Sequence, residues 1–453
     1  MSPDIYSFSD IAVGFVYFLI ILSIGFFIRN RNKNNPDYTW FIPNLIFKMI
    51  FSLFFGFTFV EILGYGGDTV AYYESVNKLV NLLFENPVGY WREMISTPSM
   101  ETLSTNFTTK TGYPPGWIYK EPESFYVAKI LSIFSVFTFK SFIALSLIAS
   151  FIFALASFRF FQIAKKYNIA SDRMVAIATM FIPTVCFWCS GATKDMLILS
   201  SFYFALYQLF AYFDKERKFG VSNLILLFLM VYILTQIRPF MIYAILPPLL
   251  LSFGLGNINR MENKLFAGLL KSTLFIIGLI GAFLILSTEQ GLEALGGQEY
   301  FEEMAIIQQD FAKNETYGGP RYDLGITDFT PLGMVSAAPS AVLTAIYRPF
   351  LWEAQGALLF VSGIESVVLI LLTLRFLFFN GGIVTNFNRV VSNEFLLLAL
   401  TFAVFFSFFV GFTSVLFNVL VRFKAPILGF IVLVLVSKKS SQEKNKETVE
   451  LQE

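Results

Sequence analysis

The run Ile11-Ala-Val-Gly-Phe-Val-Tyr-Phe-Leu-Ile-Ile-Leu-Ser-Ile-Gly-Phe-Phe-Ile28 carries no charge, and Arg29, Arg31 and Lys33 follow it directly. At about 1.5 Å per helical residue, such a run is long enough to traverse most of a ~30 Å hydrocarbon core. A secretory leader would place its basic residues ahead of the apolar stretch; here they come behind, so the segment reads as a retained span with its basic end in the cytoplasm. Outward from it, further apolar runs recur at 41–62, 140–161, 173–190, 195–212, 221–237, 240–254, 265–287, 356–378, 393–411 and 424–437. The pattern predicts an all-α, polytopic transmembrane helical bundle of about 11 spans, because only helices satisfy every backbone group within lipid. The alternating short segments of a β-barrel are missing. Composition agrees: 56% of the 453 residues are hydrophobic and 14% charged, against roughly 25% charged in soluble domains.

Orientation follows from the basic clusters. Lys165/Lys166/Arg173, Lys215/Arg217/Lys218, Arg260/Lys264, Arg375/Arg389 and Lys438/Lys439 all fall on the side of Arg29 if residues 124–139 form an interfacial or re-entrant helix rather than a span. That arrangement sets the N-terminus outside and the C-terminus inside a cytoplasmic (inner) membrane. Residues 1–436 then form one membrane domain, with two large extracytoplasmic loops, 63–123 and 288–355, capping its outer face. Residues 437–453 are polar and without apolar periodicity, as in a disordered cytoplasmic tail.

Several chemistries are excluded at once. The net charge of +1 leaves no basic surface for nucleic acid, and the absence of histidine removes imidazole bases, Ser/His/Asp triads and His-ligated zinc. Cys186 and Cys189 share a helical face and read as packing residues. Carboxylates alone can hold Mg²⁺ or Mn²⁺, but no dedicated cluster is visible, so no cofactor is expected and a divalent cation stays open.

The charged residues that remain in apolar surroundings carry the functional reading. Arg238, Arg348 and Arg422 each sit in or beside apolar sequence on the outer side, where a guanidinium is costly unless an anion meets it. In Gly64-Tyr65-Gly66-Gly67-Asp68, Asp68 opens an amphipathic stretch over 69–85 whose Tyr72, Val76, Leu79, Val80 and Leu83 recur at helical spacing, as on a membrane-surface helix. Asp68 has two readings, an N-cap or a general base facing a lipid-linked substrate. Glu74 reads first as a solvated face residue and second as a supporting carboxylate. Lys194 and Asp195 open a helix after the Cys189-Ser-Gly-Ala-Thr193 turn, where the positive dipole end suits a phosphate; the competing reading is an internal Lys/Asp arrangement with Lys194 snorkelling. Arg348 and Glu353 read either as a structural pair or as part of an anion site, and Glu365 as the partner of a neighbouring basic group. Asn418, Arg422 and Lys424 crowd the last outer turn, where anchoring is a poor explanation because anchoring charges belong inside.

The Gly-Gly-Asp approach to a helix, the Phe187-Trp-Cys-Ser-Gly-Ala-Thr-Lys-Asp195 hairpin and Asn418-x-x-x-Arg422-x-Lys424-x-Pro426 resemble bacterial membrane polysaccharide polymerases of the EpsG/Wzy type and the related GT-C type membrane glycosyltransferases. The resemblance covers most of the membrane core. It implies a polyprenyl-phosphate-linked saccharide as donor, attack by an acceptor hydroxyl at the extracytoplasmic face, and Asp68 as the acidic residue of the first outer loop. The chain departs from that pattern in an extra leading span and in lacking a second acid directly beside Asp68. In such a reaction Asp68 would take the acceptor proton while Lys194, Arg238, Arg348, Arg422 and Lys424 bind the departing phosphate. The rival reading is a transporter or flippase for an anionic lipid-linked substrate, which would carry its charges near the bilayer midplane in broken helices. A third is a structural membrane component of a larger assembly.

Overall fold

The computed structural model describes residues 5–64, 66–213, 219–259, 297–315, 317–326, 328–379 and 381–438. Among these the secondary structure is helical, apart from one isolated bridge between Arg321 and Leu416. Six helices are long and apolar enough to cross a membrane: Phe8–Arg31, Pro36–Ile62, Phe142–Lys166, Lys194–Phe213, Ala357–Phe378 and Glu394–Thr413. Two bent pairs, Asp172–Met180 with Pro183–Cys189 and Phe417–Phe423 with Ala425–Leu435, raise the count to eight if each pair is one span.

Among the described residues the expected eleven spans are not confirmed. Runs 221–237 and 240–254 form helices, but these are short apolar ones, and 265–287 lies outside the described residues. The basic residues at 215, 217, 218, 260 and 264, and the tail from 439 to 453, lie there too. The run at 173–190 was expected as a plain span and breaks because Pro183 cannot donate to the preceding turn; at 424 a turn before the final span was expected, and there Phe417–Phe423 gives way to Ala425–Leu435.

The chain divides into two compact units. One comprises Met1–Ile163 and Thr179–Ile242, the other Ala164–Ala178 and Tyr243–Glu453. The helices of the first are α1 (Phe8–Arg31), α2 (Phe41–Phe57), α3 (Asp68–Glu85), α4 (Pro87–Ile95), α5 (Met100–Asn106), α6 (Gly116–Lys120), α7 (Pro122–Phe137), most of α8 (Phe142–Lys166), the end of α9 (Asp172–Met180), α10 (Pro183–Cys189), α11 (Lys194–Phe213), α12 (Val221–Ile237) and the start of α13 (Phe240–Asn259).

Its core joins Ile21 of α1, Leu45 and Met49 of α2, and Ile143, Leu147 and Ala154 of α8. Gly14 and Gly25 let α1 approach Ile143 and Leu45, the small-residue contact expected where lipid offers no hydrophobic drive for helix association. Asn44 donates to Ala154 O at 2.8 Å and Ser52 to Ser146 O at 2.9 Å, hydrogen bonds that hold neighbouring helices together. Asp10 accepts from the Ser141 hydroxyl and the Ile143 N–H and so closes the start of α8. In the middle of the span Pro36–Ile62, buried Lys48 donates to Met180 O at 2.6 Å and to Cys186 Sγ at 2.8 Å, across the α9–α10 break. Cys186 is thus a hydrogen-bond partner as well as a packing residue.

The segment 63–123 was expected as an outer loop carrying an amphipathic helix over 69–85; that helix forms as α3, and three further helices, α4 to α6, make the segment a helical layer. The stripe Tyr72, Val76, Leu79 and Val80 is buried, as are Thr69, Ala71, Ser75 and Leu82 on other sides, so α3 is enclosed by protein rather than laid on a membrane surface. Its neighbours are α4, α6 and α7. Beneath the layer, fully buried Glu93 accepts from Asn106 Nδ2 at 2.6 Å and from the Tyr119 hydroxyl at 3.0 Å, and Lys129 of α7 donates to Ser96 O at 2.7 Å.

The second unit contains α14 (Gly297–Lys313), α15 (Pro331–Ser336), α16 (Ala338–Tyr347), α17 (Ala357–Phe378), α18 (Gly382–Ser392), α19 (Glu394–Thr413), α20 (Phe417–Phe423) and α21 (Ala425–Leu435). Met304, Met334, Ala341 and Phe412 form a core cluster in it. The described part of 288–355 is likewise not a loop: α16 packs along α19, and Gly411 admits the Ala341 carbonyl where a Cβ would collide with it.

Candidate functional site

The turn ahead of α3 is made by glycines in the left-handed region, Gly64 at φ 59° and Gly67 at φ 83°. A Cβ on Gly67 would lie 2.6 Å from the Phe59 ring, so the turn needs glycine for space as well as for backbone freedom. Gly67, not Asp68, takes the N-cap position, and the reading of Asp68 as the cap fails; its carboxylate stands at the first helical residue, where the helix dipole favours negative charge.

From there Asp68 lines a cavity of about 450 Å³ together with Gly67, Val70, Ala71, Glu74, Pro115 and Trp117. Both carboxylates are half-buried. Glu74, whose first reading was a solvated face residue, shares the cavity because Gly67, Val70, Ala71 and Glu74 follow the spacing of one helix face.

The start of α3 is tied to the turn before α11, since Thr69 Oγ1 donates to Ala192 O at 3.2 Å. Thr193 Oγ1 caps α11 by accepting from the Met196 N–H at 3.1 Å. Next along the helix, Lys194 pairs with Glu123 at 3.2 Å, with side-chain exposures of 14% and 56%. Asp195 pairs with Arg238 at 3.6 Å with both side chains buried, and the Arg238 guanidinium lies 5.5 Å from the Phe240 ring centre. Lys194 and Asp195 thus each pair with a residue from another element.

The second unit gathers another part of the sequence-derived set. Arg348 makes a two-pronged pair with Glu353 and lies over the rings of Tyr322 and Phe417, at 5.4 and 5.1 Å. Burial alone would raise the Glu353 carboxyl; hydrogen bonds from Arg348 and the Phe350 N–H, with the Arg348 charge, outweigh it and hold the group below its usual value. Lys424, expected to face lipid headgroups, is fully buried and donates to Arg348 O at 2.9 Å, within electrostatic reach of Glu365. Arg422 is half-buried on α20, and Asn418 is exposed beside Gly319.

No protein-family model, curated protein or solved structure matches this chain. Function therefore has to be argued from site chemistry.

Magnitudes sort the cations. The Lys194–Glu123 pair, whose carboxylate is more than half exposed, is worth about 1 kcal/mol at most. Breaking a buried pair such as Arg238–Asp195 costs about 3–5 kcal/mol, so Arg238 is better placed to hold the fold than to exchange partners. Lys194 stands at the α11 N-terminus, where the positive dipole end suits an anion, and the turn before it is linked through Ala192 to the start of α3.

Sequence reasoning missed Trp117, Pro115 and the Glu93 network. Trp117 had a readable signal, an aromatic in a Pro-Pro-Gly-Trp stretch; Glu93 had none, since a glutamate beside Arg92 gives no sign of which residues will bury it. No group of three or more Cys, Asp or Glu side chains able to hold a metal occurs among the described residues.

Proposed function

We propose that the chain is an integral membrane glycosyltransferase or polysaccharide polymerase that takes a polyprenyl-phosphate-linked sugar at the extracytoplasmic face. The observation that supports this reading is the cavity shared by Asp68 and Glu74, with Lys194 held at the neighbouring turn. Asp68 accepts the proton of an acceptor hydroxyl as that oxygen attacks the anomeric carbon; the bond from that carbon to the lipid phosphate breaks, and Lys194 meets the departing charge once Glu123 swings away. Around this site we read eleven crossings, with the helices at 221–237 and 240–254 and residues 265–287 added to the eight apolar segments, the N-terminus outside, and the C-terminus in the cytoplasm.

The test is transfer from undecaprenyl-diphosphate-N-acetylglucosamine to a short oligosaccharide by the full chain in lipid nanodiscs. Asp68→Asn should lower turnover by about 10²–10⁴-fold while leaving donor binding and folding intact. Undiminished turnover in that variant sinks the proposed base.

A second reading has a specific observation in its favour. Each of the two helix breaks has a buried lysine against it, Lys48 at Met180/Cys186 and Lys424 at the 63° bend, and polar groups at broken helices are the habit of transporters. Movement of an unaltered lipid-linked saccharide between leaflets of reconstituted vesicles would support it over transfer chemistry.

A further inference from the structure

We infer that the Asp68 cavity is the seat of a neutral acceptor sugar, with Trp117 as its stacking platform and Glu74 as the acceptor of one of its hydroxyl hydrogen bonds. The assignment of acceptor rather than any other saccharide rests on the proposed transfer; the binding of a neutral sugar does not.

The cavity has two chemistries in its wall. Val70, Ala71, Pro115 and Trp117 are apolar, and the Trp117 side chain is 49% exposed. Asp68 and Glu74 supply acceptor oxygens only. A pyranose has matching parts, an apolar C–H face for an indole and a rim of hydroxyl donors for carboxylates. Its volume of about 450 Å³ falls in the range of roughly 300–1,000 Å³ typical of small-molecule sites.

Charge then narrows the ligand. Two half-buried carboxylates repel an anion, so a uronic acid or a phosphate is disfavoured here, and the donor's phosphate belongs with Lys194 instead.

The platform is also held in place. Neighbouring Ile118 is fully buried, and Tyr119 hydrogen-bonds through its hydroxyl to Glu93 at 3.0 Å and to Thr102 at 2.7 Å. The buried Glu93 network thus fixes the short helix that carries Trp117, which is what a binding surface needs if it is not to lose affinity to rearrangement.

The experiment is saturation-transfer NMR on the full chain in nanodiscs, with cellobiose and N,N′-diacetylchitobiose as neutral probes and digalacturonate as the anionic one. The expected result is transfer to the ring C–H protons of a neutral disaccharide. It should fall about 5- to 10-fold in Trp117→Ala, survive in Trp117→Phe, and be missing for digalacturonate. Unchanged transfer in Trp117→Ala, equal transfer to digalacturonate, or none to either neutral disaccharide overturns the inference. A thermal melt of each variant separates lost binding from lost fold. The two proposals fail differently: sugar binding without turnover in the wild type removes the enzyme and leaves the site, whereas normal turnover with an unchanged acceptor KM in Trp117→Ala removes the site and leaves the enzyme.

Discussion

Arg238 and Glu123 both belong to ion pairs, yet their removal should have opposite weight. With its side chain 8% exposed, Arg238 is a counter-charge of a similarly buried Asp195, so Arg238→Ala removes a buried ion-pair partner and should cost about 3–5 kcal/mol. Glu123 is more than half exposed, and Glu123→Ala should change stability by about 1 kcal/mol at most. Thermal unfolding of the two variants in detergent checks the contrast; a melt of Arg238→Ala equal to that of wild type would show the pair to be incidental. For function the order reverses. On the proposed function, loss of Glu123 removes one competitor for Lys194, and donor binding should strengthen by a few fold in a direct titration.

The helical layer α3–α7 should show its buried titratable groups in its pH response. Burial pushes the Lys129 ammonium down to about 8, against an opposing pull from Glu93, and burial chiefly pushes the Tyr119 phenol up to about 12. Between about 8 and the normal lysine value, unfolded Lys129 binds a proton that the folded one lacks, so stability rises with pH across that window. Tyr119 acts the other way. From its normal value of about 10 up to about 12 the folded state keeps a proton that the unfolded one releases, and stability falls. The melting temperature of the wild type should therefore climb above pH 8 and turn down beyond about 10, with the climb reduced in Lys129→Met. In the second unit, Gly411→Val forces a side chain into the Ala341 backbone and should cost about 1–3 kcal/mol by parting α16 from α19. These elements also show what the sequence could tell. The long apolar runs became helices because length and composition suffice for that, and Asp68 was legible from its glycine turn. In 63–123 the apolar spacing over 69–85 announced α3, and 124–139 was expected as a helix, as α7 is. The short helices α4 to α6, and the burial of α3 against α7, were not legible because no local pattern tells which neighbour a face will meet. Lys424 misled for a related reason: a cation beside a turn looks exposed until the carbonyl of Arg348 is found beneath it.

For the molecule as a whole, the distribution of basic residues sets a test independent of the site. A fluorescent protein fused after residue 453 should fluoresce in the cytoplasm, and an alkaline phosphatase fused there should be silent; active phosphatase would invert the orientation and bring Asp68 to the cytoplasmic side. Lys48 bears on how such a chain is made. A lysine at the centre of a span opposes insertion by roughly 2.5–3.5 kcal/mol, and the carbonyl that receives it belongs to Met180, 132 residues further along. At roughly 5–20 residues per second, the ribosome needs on the order of ten seconds to deliver that partner. During this interval the second hydrophobic segment is incompletely committed to the bilayer, and the quality-control machinery of the cell has its clearest opportunity to intercept a nascent copy.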